Sequence, residues 1–108
     1  MTLYHKRVEA GWGDKSLAEQ MGHIGSEISR ALNWRAKGRR EVSQRALHRG
    51  LELLDMTVAS QKGYCRRREL LRVREALVDF FCGQNVFASS ESGWRRYFDA
   101  FVFLHKNR

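Results

Sequence analysis

Residues 41–60 read EVSQRALHRGLELLDMTVAS, and within them Val42, Ala46, Leu47, Leu51, Leu53, Leu54 and Val58 return at helical spacing. A stripe so fully apolar predicts a core helix covered from more than one side. Amphipathic helical patterns precede and follow it, and an aromatic-rich pattern closes the chain. There is no proline, so nothing breaks these patterns from within. At 108 residues the chain is long enough for one modest core. The expectation is an all-α fold, an antiparallel up-down four-helix bundle formed by residues 16–108, preceded by a poorly ordered N-terminal arm of residues 1–15.

Upstream, Ser16 and Glu19 have the S-x-x-E spacing of a capping box, which satisfies orphaned amides at a helix start. Leu17, Met21, Ile24, Ile28, Ala31 and Leu32 then share one stripe. Gly22 and Gly25 weaken this helix and are explained by close approach of a neighbour. Lys37-Gly38 supplies a basic last turn and a residue free to take the left-handed conformation. So short a connection folds the helix of residues 41–60 back along its predecessor. The first fifteen residues, with Tyr4, Val8 and Trp12 among Gly11 and Gly13, show no sustained period and read as a frayed terminus.

Downstream, Gly63 marks a second turn, and a third helix runs to about Cys82 with Leu70, Leu71, Leu77, Val78 and Phe81 as its packing face. At 100° per residue Arg74 falls inside that arc and is expected to point inward. A guanidinium there needs an acceptor, and Asp55 is the expected partner in a structural ion pair, with Glu27 second. Gly83, Gln84 and Asn85 close this helix, and Phe87 is expected to anchor the following loop by burial. Ser89, Ser90 and Ser92 offer caps for a last helix whose face is Trp94, Tyr97, Phe98, Phe101, Val102 and Leu104. Trp34, Met56 and Phe103 project away from their main stripes, which suggests a second apolar surface and a homodimer.

Twenty Lys and Arg stand against twelve Asp and Glu, a formal charge of +8 that attracts polyanions by counterion release. In an up-down bundle Arg35, Lys37, Arg39 and Arg40 gather at one end, joined by Arg95 and Arg96. Lys62, Arg66, Arg67, Arg68, Lys106 and Arg108 gather at the other. Three arginines in the first turn of the third helix oppose its dipole, which makes Arg66, Arg67 and Arg68 the most informative basic cluster.

Cys65 and Cys82 lack metal-site or redox spacing, and His5, His23, His48 and His105 form no H-E-x-x-H pair, so neither metal nor cofactor is expected. No window approaches the roughly 18–20 apolar residues of a membrane span, and no signal peptide is legible. Those features place the expected protein in the cytoplasm. No nucleophile elbow or phosphate loop is present, and no enzyme activity is expected.

The segment RALHRGLELLD at residues 45–55 and the run REALVDFF at residues 74–81 resemble small helical bacterial proteins and, more distantly, the HEPN bundles. That resemblance implies either an RNase or a non-catalytic partner of a minimal nucleotidyltransferase. HEPN ribonucleases carry an R-x4–6-H motif. Here Arg45 lies too close to His48 and Arg40 too far from it, while Arg95 and Arg96 lie too far from His105. The departure leaves the partner-binding version. The expected function is therefore a binding bundle whose basic ends engage an acidic protein partner or nucleic-acid phosphates. The alternative is an interaction subunit that dimerises through its aromatic C-terminal helix or docks on a nucleotidyltransferase-like partner.

Overall fold

The computed structural model describes residues 11–106 along the backbone and residues 11–103 in their side chains. Four helices account for most of it: α1 (Leu17–Ala36), α2 (Arg40–Ser60), α3 (Tyr64–Cys82) and α4 (Glu91–Lys106). No strand occurs among the described residues. Helix α1 packs on both α2 and α4, and α2 also carries α3.

Each helix starts and stops for a local reason. At α1, Ser16 Oγ accepts the Glu19 N–H at 3.1 Å, one half of a capping box, while the Glu19 carboxylate pairs with Lys15 at 3.4 Å. Gly38 ends the α1 segment at φ +75°, a backbone conformation that a side chain disfavours. Ser90 caps α4, its hydroxyl accepting the Gly93 N–H at 3.0 Å.

The core is the meeting of Met21, Ile24, Ile28 and Leu32 from α1 with Ala46, Leu47 and Leu54 from α2, Leu70 and Leu77 from α3, and Trp94 and Phe98 from α4. Along α1 from Ala31 to Glu27, the α2 partners advance from Ser43, which donates to the Ala31 carbonyl at 2.8 Å, to Arg49, bound to Glu27 at 2.8 Å. Two glycines let helices approach. A Cβ on Gly25 would lie 2.8 Å from Phe98 Cβ, and one on Gly50 would lie 3.0 Å from Ile28 Cδ1. Gly22 has open space around it, so its place in α1 is not explained by packing.

Several expectations need correction. The arm does not extend to Lys15: Trp12 is buried, donates Nε1–H to Thr57 Oγ1 at 3.0 Å, and accepts from Gln20 Nε2 at 2.8 Å through its carbonyl. A single large indole finds a slot between α1 and α2 without needing a periodic neighbourhood. Residues 1–10 lie outside the described residues. The buried arc of α3 is Leu70, Leu77 and Phe80, rotated by roughly 70° from the expected one on a wheel of 100° per residue, so Leu71 stands 45% exposed.

That rotation carries Arg74 to the edge of the interface. Its Nε donates to Asp55 Oδ1 at 2.7 Å, but the two side chains are 38% and 52% exposed. Keeping the pair partly in water lessens the desolvation that an interior guanidinium would suffer. Phe87 is also exposed, because the loop is held by other means: the Asp79 carboxylate accepts the N–H groups of Val86 and Phe87 at 2.9 and 3.0 Å. Met56 is half-buried and packs against the core, Trp34 is half-buried, and Phe103 is exposed.

Candidate anion-binding site

The α1–α2 turn concentrates charge. Within residues 35–44, RAKGRREVSQ, there are four cations and one carboxylate, Glu41. Arg35, Lys37, Arg39 and Arg40 are all exposed, and none belongs to an ion pair among the described residues. Aromatic rings hold three of them in place. Arg35 lies over the Phe80 ring at 4.6 Å from its centroid, and Lys37 and Arg39 lie over Trp34 at 5.2 and 5.8 Å. Such contacts orient a cation while leaving its hydrogen-bond donors available.

Beside them is a cavity of about 280 Å³ lined by Arg35, Gly38, Arg40, Ser43, Gln44 and Phe81. No carboxylate lines it among the described residues. Ser43 gives its proton to the Ala31 carbonyl, so it contributes an oxygen, whereas the Gln44 amide makes no hydrogen bond among the described residues. Helix α2 opens at this cavity with Arg39 as its N-cap and no side-chain cap. Two guanidinium-bearing residues thus stand at the positive end of a helix dipole, an unfavourable placement that an anion would relieve.

The opposite end is engaged internally. Arg66 approaches Glu69 at 3.8 Å, and Arg67 Nη2 donates to the Gln61 carbonyl at 2.6 Å, closing the C-terminus of α2. Lys62 and Arg68 are exposed there without an ion pair among the described residues. Arg95 is also committed, to Ser29 at 3.0 Å and Asn33 at 2.9 Å, with Glu91 at 3.9 Å. Those partners tie its guanidinium to α1 and to its own helix, and the side chains of Lys106 and Arg108 lie outside the described residues. Asp55 and Arg74 form an internal pair far along α2 from this turn.

A second depression, apolar and open, lies between α3 and α4, and Glu69, Arg72, Val73, Ala76, Phe87, Trp94 and Tyr97 are among the residues that line it. Trp94 Nε1 and the Tyr97 hydroxyl are buried without a hydrogen-bond partner among the described residues. Burial pushes the Tyr97 hydroxyl up to about 12; the Glu69 carboxylate adds to the rise and the Arg66 guanidinium opposes it. No group of His, Cys, Asp and Glu suited to a metal ion occurs among the described residues, and both cysteines are free and exposed.

The four cations are legible in the sequence, but the surface they share is not. In the sequence patterns Ser43, Gln44 and Phe80 have no place, and Phe81 reads there only as part of the α3 packing face. Their signal was present in part: Ser43 is a polar residue on the buried side of α2, one turn from two arginines that begin a helix without a cap. No helix among the described residues is long and apolar enough to cross a membrane. No family model, curated protein or solved structure matches this chain.

Proposed function

We propose that the chain is a non-enzymatic helical-bundle binding protein that engages nucleic-acid phosphates through the α1–α2 turn, without reading base sequence. The observation that carries this reading is the cluster of Arg35, Lys37, Arg39 and Arg40, exposed, unpaired among the described residues and steadied by Trp34 and Phe80. Phosphate contacts of this kind set position and affinity, not specificity. An antiparallel course of α1 and α2 is part of the same reading, because it gathers both ends of the turn on one surface. The opposite end supports it less, since Arg66 and Arg67 already have internal partners.

The test is binding of single-stranded oligonucleotides, followed by anisotropy over a series of salt concentrations. Four phosphate contacts predict a slope of log K against log salt near −3, from about −0.7 per contact. Arg39→Glu with Arg40→Glu should abolish most of the affinity, and Arg67→Glu with Arg68→Glu should cost less. Salt-independent binding would remove the turn from the mechanism. Tighter binding to an acidic polypeptide than to any oligonucleotide would instead assign the turn to an acidic protein partner.

A second reading, self-association through α4, is favoured by Val102 and Phe103, which are 40% and 66% exposed, and by the adjacent apolar depression. Docking on a nucleotidyltransferase-like partner would use the same face and rests on the family resemblance. Sedimentation over a range of concentrations distinguishes a homodimer from a monomer.

A further inference from the structure

We infer that the cavity at the α1–α2 turn receives a terminal phosphomonoester of a nucleic-acid strand, so that the protein binds strand ends in preference to internal phosphates. This rests on the phosphate-binding reading above and narrows it to one site and one chemical group. The surrounding cations can attract any phosphodiester, but the cavity is concave and has only about 280 Å³, room for a phosphate and its attached sugar and not for a duplex. A chain end can enter such a space. An internal phosphate, continuous with chain on both sides, has to lie across its mouth.

Charge points the same way. A phosphomonoester carries about −1.5 to −2 near neutral pH, against −1 for a diester, and offers three free oxygens. Arg35 and Arg40 enter the cavity from two helices and can share those oxygens, with the Gln44 amide as a further donor. The uncapped start of α2 adds the positive end of its dipole. Phe81 forms the apolar wall against which the sugar of the terminal nucleotide would rest.

The experiment compares one short oligothymidylate with a 5′-phosphate, with a 3′-phosphate and with hydroxyls at both ends, and includes a phosphoserine peptide. One or both phosphorylated strands should bind about tenfold or more tightly than the hydroxyl strand. That preference should vanish in Arg35→Gln with Arg40→Gln, substitutions at exposed positions whose effect on folding is checked by circular dichroism. Amide shifts at Ser43 and Gln44 on addition of thymidine monophosphate give a second measure in the wild-type protein. Equal binding of all three strands, still salt-dependent, would overturn the end site and leave the general phosphate reading standing. No binding of any strand at low salt would sink both. A phosphoserine peptide that outcompetes the phosphorylated strands would keep the cavity but overturn its assignment to nucleic acid.

Discussion

Trp12 Nε1 donates to Thr57 Oγ1 across 45 residues of chain, at 3.0 Å and in a setting where the indole is 3% exposed and Thr57 fully buried. The same hydroxyl passes its own proton to the Leu53 carbonyl, so the indole N–H meets an oxygen whose lone pair is already oriented. Trp12→Ala removes a whole ring from the core and should cost about 3–5 kcal/mol, a large share of the ~5–15 kcal/mol typical of a small domain. Thr57→Val, nearly isosteric, strands the indole N–H and should cost about 1–3 kcal/mol. Urea unfolding of both variants checks this. A Trp12→Ala protein as stable as the wild type would restore the idea of a dispensable segment up to Lys15.

Gly22 and Gly25 occupy the same helix and should respond oppositely to alanine. At Gly22 a Cβ meets nothing within 4 Å, so Gly22→Ala should stabilise by about 0.5–1 kcal/mol through the lower entropy of the unfolded chain. At Gly25 the added atom would fall 2.8 Å from Phe98 Cβ and 3.1 Å from its Cγ. Those atoms sit close to the α4 backbone and cannot swing aside, so the clash outweighs the helix-propensity gain and Gly25→Ala should lower the melting temperature.

Two ion pairs connect to α2 with different weights. Glu27, whose side chain is 11% exposed, accepts from Arg30 Nη1 and Arg49 Nε, both at 2.8 Å. Asp55 and Arg74 are joined at 2.7 Å, but the Asp55 side chain is 52% exposed where that of Glu27 is 11%. Double-mutant cycles should give a coupling of about 1–3 kcal/mol for Glu27 with Arg49 and less than about 1 kcal/mol for Asp55 with Arg74. The reverse order would mean that exposure is a poor guide to what these pairs contribute.

Periodicity exposed the helices because long apolar stripes, such as Met21 to Leu32, have one satisfactory conformation. It was blind to rotation about an axis already chosen. On α3, Leu70 and Leu77 fit either arc, and only contact with α2 and the hydration of Arg74 decide that Phe80 goes in and Leu71 out. Trp12 was invisible for another reason: a single anchor has no period. Of the candidate site, the cations were legible as charge, whereas the cavity depends on Phe81 from α3 meeting Ser43 and Gln44 from α2, a juxtaposition that no local pattern encodes.

Tyr97 carries a pH signature. Its hydroxyl is pushed up to about 12 by burial, against 10 for an exposed phenol. Below pH 10 both folded and unfolded forms keep the proton, and the contribution is fully present. Between about 10 and 12 the unfolded chain ionises while the folded one does not, so stability falls as pH rises through that window. Tyr97→Phe keeps the ring contacts with Trp94, Phe98 and Phe101 and removes a hydroxyl that has no partner among the described residues. Melting curves from pH 9 to 12 should show a shallower decline for the variant, with little change at neutral pH. Parallel declines would mean that the phenol titrates alike in both states.

Arg39 brings fold and proposed function into opposition. It stands at the N-cap of α2, where an aspartate would accept an orphaned amide and complement the helix dipole, and it does neither. Arg39→Asp should therefore stabilise the protein by about 1 kcal/mol. The same change replaces a cation held over Trp34 by an anion beside the cavity, so oligonucleotide affinity should fall at least tenfold and its salt dependence should flatten. Chemical unfolding and anisotropy on one preparation measure both. A gain in stability with affinity unchanged would identify Arg39 as an ordinary solvated residue, whereas opposite movements of the two quantities would show a helix start kept unfavourable because it binds anions.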